Sequence, residues 1–432
     1  MVERMIKQYI DADRWPHLVA PLDAHFQGRR AEEASSRLEA LANEYNLSLT
    51  GTTTPFLTVH DGEFFDRIVA HGWLGVAESY MLGQWDAEPL PEVLEILLQQ
   101  PLEGRLGNFL ARKRKHDRFG SPLPGEVPDG LVELYAGETR ATGAALFKSA
   151  ARTTATERVA VPLSPGSKKT TDITLDLTYF GEPDDVDRQD LDDAQLRRIE
   201  SMLDEAGVGP GDRVLELTSS GGTLAIQAAR RGASVDLLTS DEEHADTIAA
   251  RVRSAGVGGA VRIEKIVGSI PSPRQWSGQY DVIFSIERME TLGRGGIPHF
   301  LRAIDRMLAR GGVAVVQSVV STPTARAIAM ESLDVMRAYV WPALDYPPVE
   351  AVRIATLSST KLNLVAENYL GSHLGATLPL WRSNFLVRER QAAAAGFEQI
   401  FRRLWDYQLA LHEALINAGD IDCVQFVFEP RA

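Results

Sequence analysis

The sequence predicts an α/β fold: a doubly wound parallel sheet with a helical insertion, preceded by a smaller, mainly helical N-terminal domain. Three observations predict it. From residue 191 onward, short apolar runs alternate with helical runs, as in a sheet covered on both faces. One of those runs, Val214-Leu215-Glu216-Leu217, passes through Thr218-Ser219-Ser220-Gly221-Gly222 into a helix, the turn against which such folds hold a ligand. Before residue 130 the apolar spacing is helical and ends in a connector rich in Pro and Gly.

Taken in order, residues 1–45 read as helical, with Leu38, Leu41 and Tyr45 at helical spacing. A short β-like piece follows at 56–59, and Pro91 opens a helix over 91–100. A Pro/Gly-rich stretch at 120–130 and an irregular one at 162–174 divide the chain. These set an N-terminal helical domain at 1–130, a linker region at 131–175 and a sheet domain at 176–432, with an insertion at about 325–400. Within the sheet domain helices are expected at 191–204, 223–231, 242–254 and 298–309. Strands are expected at 213–217, 234–238, 261–266, 281–285, 312–319 and 422–428.

Composition narrows the function. Of 432 residues, 44% are hydrophobic and 24% charged, ordinary for a chain that buries a sizeable core. The net charge of −14 argues against a nucleic-acid partner, which needs a surplus of Lys and Arg. The single cysteine, Cys423, permits neither an internal disulfide nor a cysteine-rich metal site, and no metal ligands are expected. The N-terminus has no signal-peptide pattern and no apolar run is long enough to span a bilayer, so a cytoplasmic location is expected. Against the acidic background, Arg112-Lys113-Arg114-Lys115-His116-Asp117-Arg118, flanked by Phe109, Leu110 and Phe119, is a dense basic run. It reads as a peripheral contact with anionic lipid at the inner face of the membrane, or as a solvated loop.

The turn at 218–222 is the first candidate site. Glycine there lets a cofactor approach bare backbone, because a Cβ would collide with it. Glu216, Ser219, Ser220, Gly221, Gly222 and Thr239, the last just past the strand at 234–238, form the candidate cofactor-binding set. The turn reads either as a pocket of altered shape or as a strand-to-helix turn that admits no ligand.

Several further strings carry a resemblance. They are Glu78-Ser79-Tyr80-Met81 with Gly83 and Trp85-Asp86, Ala194-Gln195, and Ser285-Ile286-Glu287-Arg288-Met289-Glu290-Thr291-Leu292-Gly293. Thr377-Leu378 with Trp381 and Phe385, Phe401 to Tyr407, Gly419-Asp420-Ile421 and Gln425 complete them. In this order they resemble the cyclopropane-fatty-acid synthase family, including the mycolic acid cyclopropane synthases, over residues 57–100 and 176–428. The resemblance implies a Rossmann-like class I methyltransferase sheet, S-adenosylmethionine as methyl donor, bicarbonate as base and an unsaturated phospholipid acyl chain as substrate. It makes Glu290, in the motif that helps hold bicarbonate, and Tyr339, the tyrosine of a second motif, the candidate catalytic residues. Their alternatives are a helix-start glutamate and a core aromatic.

The departures are as specific. Thr218-Ser219-Ser220-Gly221-Gly222-Thr223 replaces a GCGWGG-like loop. Thr171-Asp172-Ile173-Thr174-Leu175-Asp176 stands where a YDLGND-like segment is expected, and no cysteine precedes Tyr179-Phe180. Gly268-Ser269-Ile270 replaces an Asp-Tyr-Arg string, Gln317 a histidine and Leu374 a tyrosine. Three readings stay open: an active C-methyltransferase of phospholipid acyl chains, a non-catalytic homologue that partners an active fatty-acyl methyltransferase or self-associates, or a lipid-binding carrier with no methyltransferase partner.

Overall fold

The computed structural model describes residues 10–22, 28–51, 53–102, 127–149, 151–217 and 221–431. Thr218, Ser219, Ser220 and the basic run at 112–118 lie outside the described residues. The chain divides into two compact units, one formed by 1–124, 324–344 and 385–420, the other by 125–323, 345–384 and 421–432.

The first unit is mainly helical, with strands β1 (Phe56–Val59) and β2 (Trp85–Glu88) paired antiparallel. The strings of the N-terminal signature hold it together. Glu78 is fully buried and accepts from His71 Nδ1 at 2.8 Å. Tyr80 donates to Asp406 at 2.6 Å, and Arg403 reaches Asp86 at 2.7 Å while lying 4.0 Å from the Tyr80 ring centroid. These motif residues therefore join the Glu63–His71, Trp73–Met81 and Gln399–Asn417 helices into one body.

The second unit is built on a nine-stranded sheet. Its strands are β3 (Arg152–Pro162), β4 (Thr170–Phe180), β5 (Arg213–Leu217), β6 (Ser234–Thr239), β7 (Val261–Lys265), β8 (Tyr280–Ile286), β9 (Leu308–Ser321), β10 (Leu362–Tyr369) and β11 (Ile421–Pro430). Their spatial order is β3-β4-β10-β11-β9-β8-β5-β6-β7. The sheet is α/β and mixed: β5 to β9 run parallel, and β11 lies antiparallel between β9 and β10. From β5 the chain winds outward to β6 and β7, then returns to β8 on the other side of β5. That reversal is the switch point of the sheet, at the C-terminal ends of β5 and β8, where open α/β sheets place their ligands. Ser285 pins it by donating to the carbonyl of Leu217 at 3.0 Å.

Burial on both faces explains the unbroken apolar strands. One core joins Val214, Phe284 and Val315 to the Leu191–Glu205, Thr223–Arg230 and Glu242–Ser254 helices. The other joins Leu215, Ile283 and Val316 to the Ile297–Met307 and Val349–Ser359 helices. Burial of apolar surface, at about 25 cal/mol for each Å², is the main favourable contribution to folding in such layers.

Three regions differ from the sequence expectation. The stretch expected as a linker carries the Asp129–Ala136 helix and the β3–β4 hairpin, so Thr171 to Asp176 are strand residues paired with Thr156 to Val161. The expected helical insertion contains β10, whose Leu362, Leu364 and Ala366 alternate into the core. Finally, the Ala327–Ser332 and Asp334–Tyr339 helices fall in the first unit, while Val349–Ser359 and β10 fall in the second. Among the described residues, no helix is long and apolar enough to cross a membrane.

Candidate functional site

After β5, the two described glycines of the turn, Gly221 and Gly222, are met by the chain's own atoms. Gly221 and Gly222 both have left-handed φ, 76° and 77°. A Cβ on Gly221 would stand 2.7 Å from the carbonyl oxygen of Arg140, and one on Gly222 would stand 2.7 Å from Cγ2 of Ile248. Glycine is required here because protein presses on both residues. Arg251 seals the contact: its guanidinium donates to the Gly221 carbonyl, to the Thr139 carbonyl at 3.0 Å and to the Thr223 hydroxyl at 3.2 Å. The Thr223 hydroxyl in turn donates to the Thr139 carbonyl.

The other described members of the cofactor set serve local structure. Glu216 is buried and accepts from Ala225 N at 3.1 Å, at the positive end of the Thr223–Arg230 helix. The Thr239 hydroxyl accepts from Asp241 N at 3.2 Å, and Asp241 caps the Glu242–Ser254 helix through His244 N at 3.1 Å.

A second cluster lies at the ends of β8 and β9. Glu287 has φ 51°, and its N–H donates to the Gln317 carbonyl at 2.8 Å. Gln317 Nε2 approaches Glu287 Oε1 at 3.4 Å, while Gln425 Nε2 donates to Gln317 Oε1 at 3.0 Å. Glu290 is buried in the Met289–Leu292 turn and accepts from Ser318 Oγ at 2.7 Å and from Val319 N at 3.3 Å. Burial, and then the charge of Glu287, push its pKa up to about 8. Burial also raises that of Glu287, against the opposing pull of Arg198 and Gln317. Arg198, itself buried, donates to the Thr142 carbonyl at 2.6 Å. Its pKa is lowered to about 10 by burial.

The 139–147 segment covers both clusters. Gly143 approaches so closely that a Cβ would lie 2.4 Å from Gln317 Nε2 and 3.1 Å from Glu287 Oε1. Ala145 N donates to Thr377 Oγ1 at 2.9 Å, Phe147 N to His373 Nδ1 at 3.1 Å and Leu146 N to the Ala194 carbonyl at 2.9 Å. Accepting at Nδ1 in a buried setting keeps His373 neutral, with burial lowering its pKa to about 4.

Tyr339 belongs to the first unit. Its hydroxyl donates to Glu78 Oε1 at 2.7 Å, and its ring lies 5.4 Å from that of Trp15. Burial, with the charge of Glu78, raises its pKa well above that of an ordinary tyrosine. The two candidate catalytic residues are thus bonded within different units, Glu290 to Ser318 and Tyr339 to Glu78.

Sequence reasoning missed Arg251, Arg140, Gly143, Arg198 and Ser318. One of them left a signal: Arg198 follows Leu191, Ala194 and Gln195 on the buried face of its helix, where a cation is out of place. Nothing in the sequence marks Arg251.

Known proteins can be set beside this geometry. A family model described as mycolic acid cyclopropane synthetase matches residues 172–426, more than half of the chain. The tuberculostearic acid methyltransferase of Mycobacterium tuberculosis is 28% identical over 96% of this chain and 95% of its own length. The cyclopropane-fatty-acyl-phospholipid synthase of Escherichia coli is 23% identical over 90% of this chain and 91% of its own. A solved cyclopropane synthase from Mycobacterium tuberculosis shares the fold with a TM-score of 0.55 at 19% identity, covering 70% of this chain and 94% of that one. A solved coclaurine N-methyltransferase superposes with a TM-score of 0.57 at 13% identity, covering 82% and 98%.

Proposed function

The chain belongs to the mycolic acid cyclopropane synthetase family of S-adenosylmethionine-dependent lipid methyltransferases, and we propose that this member is non-catalytic and acts beside an active lipid methyltransferase. The observation that carries this reading is the packing against Gly221 and Gly222. A cofactor lying along the turn needs bare backbone at the glycines. Here the Arg140 carbonyl and the Ile248 side chain occupy those faces, and Arg251 holds the Gly221 carbonyl. On this reading S-adenosylmethionine would have to displace these groups to lie against Gly221 and Gly222.

The base site supports the same reading. The burial that disfavours charge on Glu287 and Glu290 would equally disfavour a bicarbonate anion placed beside them. Tyr339 is engaged by Glu78. What persists is the fold, on which family members handle acyl lipids. On this reading the basic run at 112–118 meets anionic lipid, each cation contributing about 1 kcal/mol near such a surface.

One observation favours the rival reading of an active C-methyltransferase of unsaturated phospholipid chains. Glu290, with a pKa near 8, is poised to exchange a proton near neutral pH. The experiment that separates the two uses labelled S-adenosylmethionine and vesicles of unsaturated phospholipid. The chain alone transfers no methyl group on our reading, and it alters the rate of an active family member from the same genome. Methyl transfer by the chain alone would establish the rival.

A further inference from the structure

β3 is the exposed edge of the nine-stranded sheet, and it lies outside the residues that the family model matches. Every residue from Arg152 to Arg158 is exposed. The strand pairs with β4 in one unbroken register from Arg152↔Phe180 to Pro162↔Thr170. The flanking bonds, Gly181 N to the Ala151 carbonyl and Leu163 N to the Lys169 carbonyl, fix the alternation. Odd-numbered residues exchange hydrogen bonds with β4, and even-numbered ones turn their N–H and C=O groups outward. Among the described residues nothing bonds those outward groups. A long, regular strand rich in threonine and valine with an open edge is a pairing surface, because its backbone groups template another strand.

We propose that two copies of this chain pair β3 with β3, antiparallel, across a two-fold axis at Thr156. The sequence selects that register. Hydrogen-bonded pairs require outward-facing, even-numbered residues opposite each other. With the axis at Thr156, Thr154 faces the partner's Arg158, Arg152 faces the partner's Ala160 and Ala155 faces the partner's Glu157. No like charges stand directly opposite, and Pro162, which has no N–H, falls beyond the ladder. An axis at Glu157 sets that residue against the partner's Glu157. One at Ala155 sets Arg152 against the partner's Arg158, and one at Arg158 sets two guanidinium groups together. Like charges directly opposite destabilise a pair. An axis at Thr154 leaves Arg158 and Ala160 outside the ladder. The Thr156 register alone keeps the ladder long and its charges apart, and such an isologous contact closes as a dimer.

The inference is independent of whether the chain methylates lipid. Its test is sedimentation velocity of the full chain with a register-specific cross-link. The wild type sediments as a dimer at micromolar concentration. Thr156→Pro removes an N–H that faces away from β4, so it yields a monomer with an unchanged circular dichroism spectrum. Thr156→Cys sets two sulfurs across a hydrogen-bonded pair with Cα atoms about 5.5 Å apart, within disulfide reach. It oxidises to a covalent dimer. Glu157→Cys, about 7–8 Å from its diagonal counterpart, does not. The buried native Cys423 leaves the assay clean. A monomeric wild type overturns the proposal, even if β3 then proves to bind an active methyltransferase. So does a dimer that Thr156→Pro leaves intact, or equal cross-linking by the two cysteine variants.

Discussion

Arg140 places its carbonyl oxygen 2.7 Å from the point where a Cβ on Gly221 would stand. The glycine that would let a cofactor near the backbone instead lets another part of the same chain near it. This contact joins the 139–147 segment to the turn after β5, and the stability of the sheet's ligand end depends on it.

Gly221→Ala therefore carries two costs, the left-handed φ of 76° and the collision with Arg140. Gly268, at φ 80° with nothing within 4 Å, carries only the first. The left-handed conformation costs an alanine about 1–2 kcal/mol, and overpacking adds about 1–3 kcal/mol more. Urea denaturation of the two alanine variants should rank Gly221→Ala as the less stable. Equal losses would mean that the turn is open.

Glu290 makes the protein less stable as pH rises. An ordinary glutamate has a pKa near 4.3, whereas burial and Glu287 lift this one to about 8. Between those values the folded state holds a proton that the unfolded state has released, so stability falls across the interval and levels off above it. Glu290→Gln removes this dependence. Its urea midpoint should exceed that of the wild type at pH 9 and match it more closely at pH 5. A wild type no less stable at pH 9 than the variant would show Glu290 ionised at little cost.

Arg198 compensates Glu287 inside the core. A buried charge left without its compensating neighbour is costly, so Arg198→Met should unfold at lower urea, more so at pH 8 than at pH 5. Adding Glu287→Gln should recover part of that loss, since the stranded carboxylate is gone. Additive losses in the double variant would show that the two charges do not interact.

Tyr339→Phe removes the hydroxyl that donates to the buried Glu78 at 2.7 Å. A hydrogen bond to a charged group contributes about 1.5–3 kcal/mol, and the thermal midpoint should drop accordingly. Because His71 still serves Glu78 at 2.8 Å, the fold survives. An unchanged midpoint would mean that the bond contributes nothing.

The parallel core was legible because Val214, Val282 and Val315 sit in apolar runs that only a doubly covered sheet requires. The Glu287-to-Glu290 string was legible because it sits at a strand end. β3 and β4 were not: residues 152–158 have no buried face, so they lack the alternation that marks a strand. The closure of the turn was hidden for another reason. Arg140, Ile248 and Arg251 are distant from Gly221 in sequence, and only the packing of the 139–147 segment brings them there. The Tyr339–Glu78 bond was hidden for the same reason, since the two residues lie 261 positions apart.

Calorimetric titration of the purified chain with S-adenosylmethionine and S-adenosylhomocysteine tests the closed turn most directly. With the Gly221 carbonyl held by Arg251 and both glycine faces covered, no saturable heat should appear up to millimolar ligand. Saturable binding in the micromolar range would contradict the account, because it would require the 139–147 segment to leave the turn and expose the backbone it now covers.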